Sequence, residues 1–291
     1  MLFKLKRLCG GSVKKNVLLK NFSTIKIGGR AKYVCYPKTK TGLINLIEYC
    51  NKKNMPYFVL GAGSNVLISS GGFKGLIIKL DNFNEIWEYD NYIQVGSGVL
   101  LNKVVNYYVS NGYSGFEQAI GIPGQIGGAI VMNAGAYNFE IKNVVIGVTV
   151  LHNGKVEYLT NTECKFNYRT SVFNSDYIIL SADFKKEIGN KEELNQVMLN
   201  TIKLRSRLPS KPSLGSVFKR NNNIIVSALI DELGLKGKKR GGAMVSLEHA
   251  GVIVNHNNAT SEDVKNLIID IKNIVKAKTG YDLMEEIRYL N

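Results

Sequence analysis

The chain has 291 residues, of which 45% are hydrophobic, with 38 basic and 23 acidic residues and a formal net charge of +15. This length allows one large domain or two to three smaller ones, and the composition is that of a globular protein with a packed core. No run reaches the ~20 apolar residues that span a bilayer, and the basic N-terminus has no apolar signal segment, so we interpret it as a short disordered arm.

The positive charge does not by itself indicate a nucleic-acid-binding protein. Apart from the N-terminus and the cluster KGKKR at 236–240, basic residues are spread along the chain. Aromatic residues do not interleave with them, as stacking platforms for bases require. We therefore assign the charge mostly to background composition, with a minor contribution to binding a phosphorylated ligand.

Cysteine and histidine spacing predicts no metal site and no redox motif. There is no C-x-x-C pair and no H-E-x-x-H spacing among Cys9, Cys35, Cys50, Cys164, His152, His249 and His256. Scattered reduced thiols are typical of a cytosolic protein. We expect a cytoplasmic protein that binds neither metal, nucleic acid nor membrane.

Helical and strand periodicities alternate along the first part of the chain. Leu43, Leu46, Ile47 and Cys50 recur at helical spacing and predict a helix over about 39–54. The other elements predicted here are a helix marked by Leu101, Val104, Val105 and Tyr108 and closed by Gly112, an Asn153-Gly154 hairpin turn, and strands at 57–60, 76–80, 92–95, 144–151, 155–159 and 177–184.

A polar stretch at 185–190 separates this part from a second mixed α and β segment. A helix over 192–207 follows it, and a long helix opens at Thr260, with Asp263 in the capping-box position, and ends at Gly280. The last residues, 284–290, alternate like a strand. We therefore expect two parts, about 20–185 and 190–291. A crevice between two such parts commonly holds a ligand.

Glycine-rich loops are the strongest functional signal. The run EQAIGIPGQIGGAIVMNAGAY at 117–137 has four glycines between Gly121 and Gly128, more than one turn requires. GAGSNV at 61–66 follows a strand but has Val66 in place of the third glycine of a dinucleotide fingerprint, so it is equally a tight loop or a backbone nest for a pyrophosphate. Ile27-Gly28-Gly29 favours a turn. Together the loops suggest a dinucleotide, without the lysine of a nucleoside triphosphatase.

Three isolated polar residues could each have either a structural or a functional role, and the residue types alone do not decide between the two. Arg169 is most often a surface ion-pair partner, although its planar fork suits a carboxylate. Ser216 lies in the glycine-hinged segment LGSVF, where a turn or cap role is usual and proton donation is the alternative. Glu286 by itself favours a solvated strand edge.

Eight segments in this order together resemble one family, the UDP-N-acetylenolpyruvoylglucosamine reductases, also called UDP-N-acetylmuramate dehydrogenases. The resemblance covers about 17–291. The segments are NFSTIKIGGRA (21–31), LGAGSNVLIS (60–69), GIPGQIGGAIVMNAGAY (121–137), NYRTSVF (167–173), PSLGSVFKR (212–220), LIDELGLKGKKRGGAMVS (229–246), HAGVIVN (249–255) and EEIR (285–288).

The resemblance implies an α+β fold. A two-subdomain FAD-binding domain of the vanillyl-alcohol-oxidase (PCMH) type precedes an α+β substrate-binding domain. The implied boundaries are an N-terminal arm at 1–19, the FAD domain at 20–188 with subdomains at about 20–82 and 83–188, and the C-terminal domain at 189–291. The segment after Arg169 leaves no room for the extra substrate loop of some members, which indicates the compact subtype.

The resemblance also implies an activity and its residues. FAD, bound non-covalently, would pass hydride from NADPH to UDP-N-acetylglucosamine enolpyruvate, giving UDP-N-acetylmuramate for peptidoglycan, in a monomeric enzyme. Arg169, Ser216 and Glu286 match the catalytic arginine, proton-donating serine and glutamate. The implied cofactor contacts are Ile27, Gly28, Gly61, Ala62, Gly63, Ser64, Asn65, Gly121, Pro123, Gly124, Gly127, Gly128, Asn133, Ala134, Gly135 and Arg169, and the substrate contacts are Tyr168, Lys219 and Arg220.

Two departures and two alternatives remain open at this point. Phe218-Lys219-Arg220-Asn221 stands where the family often has Phe-Lys-Asn-Pro, and no lysine in 205–211 aligns securely with the one that some members use for the substrate diphosphate. The alternatives are another FAD-dependent sugar or hydroxy-acid oxidase or dehydrogenase of the same flavin fold, and a basic nucleic-acid-binding protein.

Overall fold

The computed structural model describes residues 1–220 and 224–291 and divides them into two compact, discontinuous units. Unit 1 consists of Met1–Lys15, Tyr33–Ala62 and Gly75–Arg205, and unit 2 consists of Asn16–Lys32, Gly63–Lys74 and Ser206–Asn291. The three-part division into 1–19, 20–188 and 189–291 stays a prediction.

The helices predicted over about 39–54, around Leu101 to Tyr108, over 192–207 and from Thr260 to Gly280 are present, and the structure adds three helices that the sequence did not predict, at Leu2–Cys9, Ile126–Val131 and Val226–Glu232. The α-helices of the described residues are α1 Leu2–Cys9, α2 Lys40–Lys52, α3 Leu101–Ser110, α4 Ile126–Val131, α5 Lys191–Arg205, α6 Val226–Glu232 and α7 Ser261–Thr279. None of them is long and apolar enough to cross a bilayer. Gly112, with φ of +74°, follows α3 in the left-handed conformation that the sequence predicts for it.

Strands account for most of the remaining regular structure. They are β1 Ser12–Leu18, β2 Arg30–Tyr36, β3 Tyr57–Val59, β4 Val66–Ile68, β5 Phe73–Ile78, β6 Ile86–Glu88, β7 Tyr92–Gly96, β8 Tyr113–Ser114, β9 Gly135–Ala136, β10 Phe139–Glu140, β11 Val145–His152, β12 Lys155–Thr160, β13 Tyr177–Lys185, β14 Glu187–Ile188, β15 Ser213–Ser216, β16 Lys239–Arg240, β17 Ala243–Val245, β18 Val252–Asn255 and β19 Arg288–Leu290.

The main sheet of unit 1 is antiparallel and five-stranded, with the order β12-β11-β13-β7-β6. One face packs on α3 and α4 through an apolar core that includes Tyr108, Phe116, Ile126 and Phe184, all fully buried. The predicted turn between β11 and β12 is confirmed, because Asn153 and Gly154 both have positive φ, +49° and +77°. Such a turn matches the twist of the strands that it joins.

A second sheet has the order β1-β2-β5-β3, with β3 and β5 parallel and Tyr57 opposite Leu76. Residues preceding β1 form α1, so the interpretation of the N-terminus as a disordered arm is wrong. Leu5 and Cys9 are fully buried in the same core as Leu43 and Leu46 of α2. Gly42 permits this contact, because a Cβ there would lie 2.4 Å from the carbonyl O of Cys9.

Unit 2 contains the sheet β15-β18-β17-β16, which packs on the apolar face of α7. The predicted start and end of α7 are confirmed. Thr260 and Asp263 form a reciprocal capping box, and Gly280 follows the helix with φ of +77°. The C-terminal strand is shorter than predicted: regular pairing, parallel to β4, is confined to Arg288–Leu290.

Candidate active site

A bulge on β15 presents Ser216. Ser213 pairs with Val254 and Ser216 with Val252, so β15 uses one residue more than β18 over the same stretch. Gly215 supplies this bulge with φ of +73°, and a Cβ there would meet no atom of the described residues within 4 Å. Bulges re-aim side chains and are common beside active sites. Ser216 is therefore exposed at the end of β15, in which Leu214 is the buried residue.

Glu286 lies on the segment that runs antiparallel to the residues following Ser216. Its backbone N–H donates to the carbonyl O of Val217 at 2.7 Å, and the N–H of Lys219 donates to Met284 O at 2.9 Å. Unit 2 therefore places Ser216 and Glu286, two of the three predicted catalytic residues, on neighbouring segments joined by backbone hydrogen bonds.

The neighbouring carboxylate, Glu285, has structural partners. Its Oε1 accepts a hydrogen bond from Nζ of Lys272 at 2.9 Å, and its Oε2 accepts one from the Tyr289 hydroxyl. Successive side chains of an extended segment point to opposite faces. This alternation separates Glu285, which pairs with Lys272 of α7, from Glu286.

Asn65 connects one glycine loop to the Glu286 segment within unit 2. Its side-chain Nδ2 donates to the carbonyl O of Glu286 at 3.0 Å, and its own carbonyl accepts from the N–H of Arg288 at 2.9 Å. The resemblance assigns Asn65 to the cofactor, which stays a prediction. The structure adds a positioning role on the backbone of the predicted catalytic glutamate.

Unit 1 holds Arg169 in an uncommon backbone conformation, with φ of +53°. Its Nη1 donates to the carbonyl O of Asn133 at 3.3 Å, its Nη2 donates to that of Gly135, and its Cζ lies 5.1 Å from the Tyr168 ring centroid. A left-handed non-glycine residue costs about 1–2 kcal/mol and is maintained by its surroundings. Two carbonyls of the NAGAY segment thus contribute to orienting the guanidinium.

Asn133 organises this region from the interior. It is 0% exposed, its Nδ2 donates to Glu140 Oε2 and to the carbonyl O of Asn167, each at 3.0 Å, and its Oδ1 accepts from the N–H of Lys142. Burial favours a raised pKa for Glu140, but hydrogen bonds from Lys142 and Asn133 and the charges of Lys142 and Arg169 lower its pKa overall. The cofactor contact implied for Asn133 stays a prediction.

Several glycines of the predicted cofactor loops have reasons within the protein itself. A Cβ on Gly63 would lie 2.0 Å from the carbonyl O of Phe22, and one on Gly135 would lie 2.3 Å from that of Phe139. Gly28, Gly121 and Gly124 have φ of +147°, +77° and +144°, which disfavour side chains.

Gly61 and Gly128 have no such reason. Neither has a positive φ. A Cβ on Gly128 would meet no described atom within 4 Å, and one on Gly61 would meet only Oε1 of Gln125, at an ordinary 3.4 Å. Gly128 lies in α4, where glycine costs roughly 0.5–1 kcal/mol relative to alanine. Open space in front of side-chain-free backbone fits a bulky flat or phosphorylated ligand such as FAD.

The remaining predicted site residues occupy varied positions. Ile27 is 3% exposed in the unit 2 core, so its side chain is occupied by packing within the protein. Those at least partly exposed are Ala62, Ser64, Gly127, Ala134, Pro123, Tyr168, Lys219 and Arg220. Asn221, part of the departure from the family pattern, lies outside the described residues.

Lys79 follows β5 and is a residue that sequence reasoning missed. Its side chain is 5% exposed, its Nζ donates to the carbonyl O of Gly61 at 2.6 Å, and the same atom lies 3.4 Å from Oδ1 of Asp81. Burial lowers the pKa of Lys79, and Asp81 opposes that shift. The available signal was a lysine inside the apolar run GLIIKL, since lysine is almost never fully buried without a partner.

Arg205, at the end of α5, is a second missed residue in unit 1. Its Cζ lies 5.9 Å from the Tyr137 ring centroid, and a Cβ on Gly121 would lie 2.7 Å from its Nε. Burial lowers the pKa of Arg205, and Tyr137 opposes the shift.

The described residues contain no group of three or more His, Cys, Asp or Glu side chains that could hold a metal ion.

Comparison with known proteins defines the class first. Residues 31–159 match the model of the FAD binding domain, so the chain is an FAD-binding flavoprotein. Residues 208–290 match the model of the C-terminal domain of UDP-N-acetylenolpyruvoylglucosamine reductase. The predicted fold class, a PCMH-type FAD domain followed by this C-terminal domain, is confirmed.

Relatives then define the family. The chain is 41% identical over 282 residues to a UDP-N-acetylenolpyruvoylglucosamine reductase of Caldanaerobacter subterraneus, covering 96% of this chain and 93% of the relative. It is 37% identical over 280 residues to that of Clostridium novyi, covering 95% and 91%. The crystal structure of the Thermus caldophilus reductase matches with a TM-score of 0.85 at 32% identity, covering 97% of this chain and 100% of that one.

The chain belongs to the UDP-N-acetylenolpyruvoylglucosamine reductase family. The resemblance predicted from eight sequence segments is therefore confirmed, and so is the expectation of an FAD-containing oxidoreductase.

Proposed function

We propose that this protein reduces UDP-N-acetylglucosamine enolpyruvate to UDP-N-acetylmuramate, a peptidoglycan precursor, with NADPH as the electron source. Family membership supports the substrate class. The observation that carries the residue assignment is the bulge at Gly215, which exposes the Ser216 hydroxyl on the strand that leads directly into contact with the Glu286 segment.

FAD, which the glycine loops would hold, would supply the redox chemistry: it would accept hydride from NADPH at flavin N5 and donate it to the enolpyruvyl methylene carbon. The protein would then supply charge stabilisation and a proton at the neighbouring carbon. Hydride addition leaves negative charge delocalised into the substrate carboxylate as an enolate. Oriented positive charge and hydrogen-bond donors stabilise such a developing anion most when they are already in place.

Arg169 is proposed to stabilise that charge. Its guanidinium is directed by the carbonyls of Asn133 and Gly135, so little reorganisation accompanies the reaction. A carboxylate suits the planar fork of arginine. Glu286, in its protonated form or sharing a proton, is proposed to act on the same enolate.

Ser216 is proposed to protonate the carbon next to the carboxylate. A serine hydroxyl is a weak acid, and it becomes competent because the enolate is a strong base and a cation stabilises the alkoxide that forms. Tyr168, Lys219 and Arg220 are proposed as substrate contacts. The glycine loops, with Ile27, Ser64, Asn65, Pro123, Asn133 and Ala134, are proposed as cofactor contacts.

The test is a separation of the two half-reactions in the Ser216→Ala variant. We expect anaerobic NADPH to bleach the flavin absorbance at the wild-type rate, and substrate to restore it more slowly by several orders of magnitude, within the range of about 10²–10⁴ for loss of a proton-transfer group. Stopped-flow absorbance measures both rates in one preparation.

Ser110→Ala is the matched control, because Ser110 is an exposed serine at the end of α3 in unit 1. It should leave both half-reactions unchanged. An equal fall of both rates in Ser216→Ala would contradict the proton-donor role, while a colourless wild-type preparation that NADPH and substrate do not affect would contradict the proposed function as a whole.

A further inference from the structure

A buried ammonium group lies directly behind the first peptide of the loop that begins at Gly61. Lys79 Nζ donates to the Gly61 carbonyl oxygen at 2.6 Å, with only 5% of the lysine side chain exposed. A desolvated ion stays charged only if its partners are well placed. Hydrogen bonds to charged groups are about twice as strong as neutral ones, so this contact holds the Gly61–Ala62 peptide firmly.

The orientation of that peptide has a consequence for Ala62. In a planar trans peptide, the C=O of one residue and the N–H of the next point in opposite directions. Because the Gly61 C=O points inward to Lys79, the Ala62 N–H points away from the interior. No hydrogen bond from this N–H exists to any of the described residues, and Ala62 is partly exposed.

The same network reaches the second glycine loop. Gln125 Nε2 donates to Asp81 Oδ1 and to the carbonyl O of Gly98, each at 2.9 Å, and Asp81 also pairs with Lys79. Asp81 is 41% exposed, so solvent weakens its compensation of the lysine charge. The loops around Gly61 and Gln125 are thereby joined within unit 1 by a network in which the Lys79 ammonium is more deeply buried than the Asp81 carboxylate.

We infer that Lys79 is a positioning residue for the FAD diphosphate: it orients the Ala62 N–H outward as a donor to a phosphate oxygen and places positive charge behind that donor. Backbone N–H groups that converge on a concave loop bind anions, and a nearby cation strengthens such a site. The inference rests on the proposed cofactor role of the Gly61–Asn65 loop and deepens it, because the residue that controls the loop lies outside it.

The experiment compares FAD with riboflavin, which has the same ring system and no diphosphate, on apoprotein of the wild type and of Lys79→Met. Flavin fluorescence titration gives both dissociation constants. We expect Lys79→Met to raise the Kd of FAD by about 10- to 100-fold, the range for losing a hydrogen bond to a charged group. The Kd of riboflavin should change less than about threefold, since riboflavin has no phosphate oxygen to accept a hydrogen bond from the Ala62 N–H.

Lys74→Met is the matched control, because Lys74 is an exposed lysine of β5 and the change in net charge is identical. It should preserve both constants. Lys79→Arg, which keeps the charge and the donors, should recover at least part of the preference for FAD. An equal loss of affinity for both flavins in Lys79→Met, or wild-type FAD affinity, would overturn the positioning role.

A measurement on the unmodified protein avoids any question of folding in a variant. In ¹⁵N-labelled wild type, the Ala62 amide proton should shift downfield on addition of FAD and not on addition of riboflavin. An Ala62 signal that is unaffected by FAD contradicts the inference about Lys79 while FAD binding itself persists. A wild type that binds FAD no better than riboflavin contradicts the proposed diphosphate contacts of the whole loop, and this inference with them.

Discussion

Gly63 and Gly128 belong to the two glycine-rich loops, and the structure gives opposite reasons for their lack of a side chain. At Gly63 the protein's own backbone fills the space, since a Cβ would lie 2.0 Å from the carbonyl O of Phe22 and φ is +64°. At Gly128 the space is open and φ lies outside the left-handed region. Folding requires the first glycine, and we propose that a bound ligand requires the second.

This difference separates two kinds of evidence that a glycine-rich sequence mixes together. A glycine that the fold demands would be present whether or not a ligand exists. A glycine that helix α4 tolerates at a cost of roughly 0.5–1 kcal/mol, with no close contact within the protein, is one for which we propose a ligand as the reason. Substitutions that act on folding in one case and on FAD binding in the other test the comparison.

The largest expected effect is on the stability of Gly63→Ala. We expect a loss of about 3 kcal/mol or more in the free energy of unfolding, from the left-handed conformation and from the overlap with Phe22. Urea unfolding of the apoprotein measures it. Gly234→Ala is the control, because Gly234 has a similar φ of +69° in the same unit and a Cβ there meets nothing within 4 Å. It should lose only the conformational share, about 1–2 kcal/mol.

Equal losses in Gly63→Ala and Gly234→Ala would show that the overlap at Gly63 is relieved by a small shift. In that case the left-handed conformation of Gly63, and not the overlap with Phe22, would be the reason for glycine at this position.

Gly128→Val should leave folding intact and prevent FAD binding. Valine is a somewhat better helix residue than glycine, so the apoprotein should unfold at the same urea concentration or a slightly higher one. Its side chain would occupy the open space, and we expect the Kd of FAD to rise by at least about 100-fold, or about 2.7 kcal/mol. Visible absorbance after reconstitution and gel filtration measures retained flavin.

Gly128→Ala provides the graded control for this substitution, with an intermediate loss of affinity. Normal flavin content in Gly128→Val would remove the main structural argument that α4 approaches the cofactor.

Local sequence patterns predicted the elements whose determinants are local. The helix over 39–54, the Asn153-Gly154 turn and the capping box at Thr260 all depend on residues within a few positions of one another, and all three are present. The prediction of a disordered N-terminal arm is wrong, and it was made because α1 is too short to show a clear apolar face in the sequence. Its stability comes from burial of Leu5 and Cys9 on α2, a contact that periodicity does not show.

The site was predictable only in part. Arg169, Ser216 and Glu286 are assigned by resemblance alone, since each residue taken by itself favours a structural role, and their catalytic roles stay predictions. The pairing that distinguishes Glu285 from Glu286 depends on Lys272 and Tyr289, and adjacent carboxylates are equivalent in the sequence. Lys79 was missed because its partner, the Gly61 carbonyl, is a backbone atom that sequence does not identify.

The smallest expected effect is that of Gly61→Ala, which tests the comparison within the first glycine loop. A Cβ at Gly61 would make an ordinary 3.4 Å contact with Gln125 Oε1, and φ lies outside the left-handed region. Alanine restricts the unfolded chain more than glycine does, so the apoprotein should gain about 0.4–1 kcal/mol of stability. The added methyl group lies beside the proposed cofactor path, and we expect FAD affinity to fall several-fold, or about 1 kcal/mol.

Gly71→Ala, at an exposed glycine whose φ is also outside the left-handed region, controls for the general effect of the substitution and should leave FAD affinity unchanged. If Gly61→Ala raises stability and lowers FAD affinity, while Gly63→Ala lowers both, the two kinds of glycine are distinguished within three residues of one loop. A loss of stability in Gly61→Ala would instead place Gly61 with Gly63 among the residues that folding requires.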